Sequence, residues 1–321
     1  MQIVSLSLVL GVGVLLLVGG ATALVEGSST LARRARVSEL VIGLTVVAFC
    51  TSAPELAVNL LAAAGSHAEL VLGNVIGSNV FNTLAVIGGA AVVRPLAIGA
   101  RTARLELPFS ILVAVLVIVL IHSGLEPLSA PGRLSRLDGT LLLLVGVVFT
   151  GYIGLTLHSA PEGLQPPART RRVGTALVLV VGGVTALVAG GRLIVDSATE
   201  IAVYAGVTTR VIALTVVAIG TSLPELATSL VAAGRGNTDM AVGNVIGSNV
   251  INIVLVLGIS VLVAPIADSG DVLLELSTNL AAAVAVLLFV YLGRGRRIVR
   301  SEGVLLLVGY GAYISLVVRG F

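Results

Sequence analysis

Apolar residues fall along this chain in windows of roughly 20, the length an α-helix needs to cross a hydrocarbon core of about 30 Å. Ten windows recur from end to end, and they predict helices over residues 3–33, 38–64, 69–92, 102–121, 137–157, 173–204, 208–233, 238–263, 271–292 and 302–319. The polar connections are short, and no segment remains for a soluble domain. The longest, HSAPEGLQPPARTRR at 158–172, is rich in proline and arginine and lies between the fifth and sixth windows. It reads as a linker between two halves, 1–157 and 173–321. The predicted fold class is an all-α membrane protein of ten transmembrane helices.

Two windows carry polar residues where an ordinary span would not. Residues 45–56 read TVVAFCTSAPEL and 215–226 read TVVAIGTSLPEL, each setting a glutamate beside a proline inside an apolar segment. A carboxylate at bilayer depth is expensive, and a proline there removes a helix donor, so the combination implies a function beyond spanning.

The two stretches are copies. Adding 170 to a residue number maps the first half onto the second without a gap from about Gly20 to Gly88, with LTVVA at 44–48 meeting 214–218 and GNVIGSNV at 73–80 meeting 243–250. Shared Asn, Ser and Gly in register point to duplication rather than compositional convergence. Five predicted spans separate each residue from its copy, and an odd number reverses direction. The halves are therefore expected to be inverted five-helix repeats with broken helices meeting near the midplane, an architecture suited to alternating access.

Composition and charge narrow the setting. The chain is 57% hydrophobic and 11% charged with a mean hydropathy of +1.11, which excludes a water-soluble globular domain. No basic residue precedes the first window, so it reads as a retained helix rather than a cleaved signal. The single cysteine, Cys50, excludes an intrachain disulfide framework and a thiolate metal cluster. All 19 basic residues are arginine, placed mostly in short loops without interleaved aromatics, which argues against nucleic-acid binding. With the N-terminus outside, 14 arginines fall in inside loops and 4 (Arg133, Arg136, Arg210, Arg319) outside, with Arg192 inside the sixth span. That positive-inside bias places the linker in the cytoplasm and both termini away from it.

The candidate chemistry sits on the duplicated windows. Thr51 and Glu55 share a helix face with Ser52 beside them, and Pro54 cannot donate to the Cys50 carbonyl, so carbonyls around Ala48 to Cys50 are expected to be loosened. On the next span Asn74, Ser78 and Asn82 repeat at i, i+4 and i+8, and Gly73 and Gly77 form a small-xxx-small pair. Asn244, Ser248, Asn252, Gly243 and Gly247 repeat the pattern. Every donor atom is oxygen, a set that selects hard cations such as calcium over zinc or copper. Glu55 and Glu225 would balance one divalent ion. Asn74, Asn79, Asn244 and Asn249 serve equally as packing polar groups or as ligands. Glu26 and Asp196 are equivalent under the offset and suit a structural or gating role, with Arg192 and Asp196 spaced for an ion pair. Glu106 and Glu275 read as interfacial, and Cys50 as a small packing residue.

GLTVVAFCTSAPEL with GNVIGSNVFN, repeated as ALTVVAIGTSLPEL with GNVIGSNVIN, resembles the two alpha-repeats (38–92 and 208–263) of the calcium/cation antiporter superfamily, in its sodium/calcium exchanger branch. The likeness covers essentially the whole chain. It implies sodium-driven calcium transport by alternating access in a prokaryotic inner membrane, with the first and sixth helices sliding over an eight-helix core. It implies ligands Thr51, Ser52, Glu55, Ser78 and Asn82 from one repeat, Thr221, Ser222, Glu225, Ser248 and Asn252 from the other, and the carbonyls of Ala48 and Ala218. Exchange of three sodium ions for one calcium would be electrogenic. No cofactor is implied, only calcium, sodium and the bilayer as partners, and a monomer suffices for transport. Where some relatives carry an acidic residue this chain has Asn252, and Cys50 stands where the second repeat has Gly220.

Alternatives remain open on the residues alone. A calcium/proton antiporter needs only that Glu55 and Glu225 take protons when no cation is bound. A cation channel would normally draw its selectivity ring from repeated subunits. An intramembrane hydrolase lacks an intramembrane histidine or lysine as base, so the chain is not read as an enzyme.

Overall fold

The computed structural model describes residues 2–65, 68–123, 133–156, 172–204, 218–266, 272–293 and 295–319. Twelve helical elements organise them: α1 (Gln2–Ala35), α2 (Glu39–Thr51), α3 (Ala53–Ala64), α4 (Leu70–Val93), α5 (Thr102–Ser123), α6 (Arg136–Thr156), α7 (Val173–Tyr204), α8 (Ala218–Thr221), α9 (Leu223–Gly234), α10 (Thr238–Val263), α11 (Leu273–Leu292) and α12 (Arg300–Arg319). Among the described residues eight helices are long and apolar enough to span a bilayer, and α2 with α3 makes a ninth, bent by 44°. The window at 208–233 is described only from Ala218 onward, and most of the 158–172 linker lies outside the described residues.

The breaks fall where the proline acts. Ser52 (φ −81°, ψ 2°) and Ser222 (φ −93°, ψ 7°) leave helical geometry, and a new helix starts after each with proline in its first turn. Proline at that position costs nothing, because the first amides of a helix have no intrahelical partner. The consequence is that Glu55 and Glu225 each stand in the first turn of a helix, where the aligned peptide dipoles favour an anion.

Burial ranks the helices. The apolar windows of α4 and α10 are each 78% buried, against 17–39% for the other single spans, so these two form the centre. Large side chains such as Leu15, Leu61 and Val178 point outward, as a lipid-facing surface requires. Both central helices widen to π-helical turns, at Asn82–Val86 and Asn252–Leu257, so each wide turn opens on a candidate asparagine. Such turns recur at functional sites.

Between apolar helices in lipid there is little hydrophobic drive, and close backbone approach takes its place. Helices α1 and α7 pack along each other through Gly13, Gly20 and Gly27 on one and Gly190, Gly183 and Ala176 on the other. A Cβ on Gly20 would sit 2.7 Å from the Gly183 carbonyl oxygen and 2.8 Å from the Leu187 amide. Gly43, Gly243 and Gly247 bring α2 against α10 in the same way. The surface that would meet Gly73 and Gly77 by the 170 offset, 210–217, lies outside the described residues.

Short strands tie loops together. β1 (Leu96–Ala97) pairs antiparallel with β2 (Arg297–Ile298), and Leu134 bridges Ile266. Each pairing joins two loops that the arginine count assigns to one side of the membrane.

Candidate functional site

The carboxylates are held from opposite halves. Ser222 Oγ donates to Glu55 Oε1 at 3.0 Å, and Ser52 Oγ donates to Glu225 Oε1 at 3.2 Å, so the serine at each helix break serves the glutamate of the other half. Both glutamates are fully buried, and in each the second oxygen, Oε2, has no hydrogen-bond partner among the described residues. Burying two such groups without a partner is unfavourable, and a cation bound between them would relieve it. Ser248 Oγ adds a contact to Glu225 Oε1 at 3.4 Å.

The threonines are set by asparagines across the same divide. Thr51 Oγ1 lies 3.1 Å from Asn244 Oδ1, 3.3 Å from the Ala48 carbonyl oxygen and 3.4 Å from Ser248 Oγ. Thr221 Oγ1 donates to Asn74 Oδ1 at 3.3 Å. Asn244 is committed at both ends, since its Nδ2 also reaches Ser229 Oγ at 2.9 Å. Its side chain thereby links Thr51 to Ser229.

Thr51, Ser52, Glu55, Thr221, Ser222, Glu225 and Ser248 are thus linked by hydrogen bonds spanning both halves. Ser78 Oγ, both amide atoms of Asn82 and Asn252 Oδ1 are buried without a partner. The Ala48 carbonyl keeps its helix bond to the Ser52 amide at 2.9 Å and lies 3.3 Å from Thr51 Oγ1, so it is not the loosened group that the proline predicts, and as a ligand it would share its oxygen with these donors. Ala218 opens α8. Among the described residues no three His, Cys, Asp or Glu side chains cluster. The site is two carboxylates surrounded by neutral oxygens.

Several participants are not singled out by the sequence patterns. Asn59, one turn after Glu55, donates to the Glu55 carbonyl at 2.8 Å, while its counterpart Ser229 supports Asn244. The i, i+4 spacing from Glu55 to Asn59 was the available signal. Glu106, read as interfacial, is only 2% exposed. It accepts from Tyr152 Oη at 2.7 Å, and its carboxylate lies 3.5 Å from Arg101 Nε.

A cavity of about 400 Å³ reaches Thr221 between α3, α7, α8 and α9, lined by Pro54, Val58, Arg192, Asp196 and Gly220 among others. Arg192 and Asp196 are exposed there, and among the described residues the ion pair that their spacing suggests is not formed. A larger groove of about 1010 Å³ passes Cys50 and is walled by Leu44, Phe49, Leu143, Phe149 and Val254, an apolar surface suited to lipid. The two half-sites differ here. Gly220 packs against Val195 of α7 with no space for a Cβ, while Cys50 faces the groove.

The profile of a family described as sodium/calcium exchanger protein matches residues 5–155 and 175–319. The chain is 38% identical to the putative antiporter CaxA of Alkalimonas amylolytica, over 94% of this chain and 95% of that protein. It is 33% identical to the sodium/calcium exchanger MaX1 of Methanosarcina acetivorans, over 96% of this chain and 97% of the other. Among solved structures it is similar to the sodium-calcium exchanger NCX_Mj soaked with 10 mM Na+ and zero Ca2+, with a TM-score of 0.82 and 29% identity over 99% of this chain and 100% of that one.

Proposed function

The chain belongs to the sodium/calcium exchanger protein family, and from that premise we propose that it exchanges sodium for calcium across the cell membrane by alternating access, electrogenically. The observation that carries the reading is the reciprocal pair at the centre: each buried glutamate is held at one oxygen by the serine of the other half and offers its second oxygen unpartnered. Calcium takes about 6–8 oxygens in an adaptable shell. Thr51, Ser52, Glu55, Ser78, Asn82, Thr221, Ser222, Glu225, Ser248 and Asn252, with the carbonyls of Ala48 and Ala218, supply more than one ion requires. Sodium ions, also hard, compete for the same oxygens, and that competition couples the two fluxes.

The reciprocity under the 170 offset supports two five-helix repeats of opposite direction, 1–157 and 173–321, in a ten-helix inner-membrane protein with both termini outside. The long glycine contact between α1 and α7 supports their moving together as a pair, because close backbone approach along both helices holds each to the other. Two carboxylates neutralise one calcium but not three sodium ions, so a cycle carrying three would move net charge.

Calcium uptake into sodium-loaded proteoliposomes, with membrane potential clamped or free, tests the reading. Uptake that needs the sodium gradient and responds to voltage is expected. Sodium-independent uptake driven by a pH gradient would replace it with proton coupling, and no calcium flux under either gradient would remove the substrate.

A further inference from the structure

Four asparagines and a threonine between α4 and α10 break the equivalence of the two halves. Asn79 Nδ2 donates to the Asn249 carbonyl at 3.0 Å, and Asn79 Oδ1 accepts from Asn252 Nδ2 at 3.1 Å. The 170 offset pairs Asn79 with Asn249, Asn82 with Asn252 and Thr83 with Ile253. A symmetric site would therefore have Asn249 Nδ2 donate to the Asn79 carbonyl and Asn249 Oδ1 accept from Asn82 Nδ2. Instead Asn249 Nδ2 donates to Thr83 Oγ1 at 2.8 Å, a hydroxyl that the second half lacks. Asn249 Oδ1 and both amide atoms of Asn82 remain buried and unpartnered.

A side-chain amide has a donor end and an acceptor end, and only the oxygen can face a cation. The Asn252 amide is committed at its nitrogen and open at its oxygen, which is buried with no partner. The Asn82 amide is committed at neither. We propose that Asn79 is a positioning residue: by accepting from Asn252 Nδ2 it fixes the Asn252 oxygen toward the transported cation, while the Asn82 amide, whose counterpart contact to Asn249 Oδ1 is not made, stays free to turn. The two halves then offer one preset and one adjustable amide oxygen. This inference rests on the cation site proposed above.

The test is calcium binding to the purified full-length protein, titrated with calcium chloride by calorimetry, in a cycle of Asn79→Ala, Asn252→Ala and the double variant. Asn79→Ala is expected to weaken calcium binding about fivefold, the size of one lost hydrogen bond. Asn252→Ala should weaken it by at least as much, and the double variant no further than Asn252→Ala alone, because Asn79 acts only through Asn252. Wild-type affinity in Asn79→Ala, or a double variant whose loss is the product of the two singles, would overturn the proposal. Should Asn79→Ala fail to fold, Asn79→Leu, similar in size but without an acceptor, takes its place with the same expectation. Wild-type affinity in Asn252→Ala would also overturn it, yet leave the antiporter reading to be decided by the glutamates.

Discussion

Glu55→Gln removes one of two buried charges while keeping the shape of the side chain. The Gln carbonyl can still accept from Ser222 Oγ, which lies 3.0 Å from Glu55 Oε1, so the contact between halves survives. What changes is the balance around a bound divalent ion: one carboxylate now faces two positive charges, and one charge is left uncompensated in a fully buried site. Breaking a buried ion pair on one side costs about 3–5 kcal/mol. At about 1.4 kcal/mol per tenfold, calcium affinity should fall by roughly two to three and a half orders of magnitude. Calorimetric titration with calcium and uptake into sodium-loaded vesicles measure it, and thermal unfolding in the absence of calcium checks that the fold persists. Glu225→Gln should behave alike, since Ser52 holds Glu225 as Ser222 holds Glu55. A folded variant that transports calcium within twofold of wild type would refute the assignment of both carboxylates.

Other expectations address separate parts of the molecule. Asn252→Asp adds a titratable group at a buried position of the proposed cation site and should make calcium transport more dependent on pH; a pH–rate profile that superimposes on wild type would remove Asn252 from the ion's surroundings. Gly20→Val drives a side chain into the Gly183 carbonyl, and the overpacking should lower stability by about 1–3 kcal/mol and reduce transport, read by thermal unfolding and uptake. The two half-sites should also respond unequally to exchange of their unlike residues. Cys50→Gly is expected to be tolerated because the thiol faces an open groove, whereas Gly220→Cys collides with Val195 and should impair both folding and flux; equal behaviour of the two in unfolding scans would show that α7 does not press on the second break.

Much of this protein follows from order along the chain. Window length sets where helices can cross a bilayer, and the observed helices begin and end within a few residues of the apolar windows wherever they are described. Proline next to glutamate announced the broken helices, because the missing amide is a local property of Pro54 and Pro224. Duplication likewise needs only comparison of the chain with itself. Three-dimensional packing decided the rest. That each serine serves the glutamate of the opposite half, that Asn244 holds Thr51, and that Arg192 and Asp196 do not pair all depend on which helix faces meet across 140 or more residues, or on side-chain placement that spacing leaves open. The unequal amides of Asn82 and Asn252 show the reason most plainly. Identical motifs at 73–80 and 243–250 present the same groups in the same order, but one neighbouring hydroxyl, Thr83 opposite Ile253, redirects a hydrogen bond, and a hydrogen bond is a property of two surfaces in contact rather than of either segment alone.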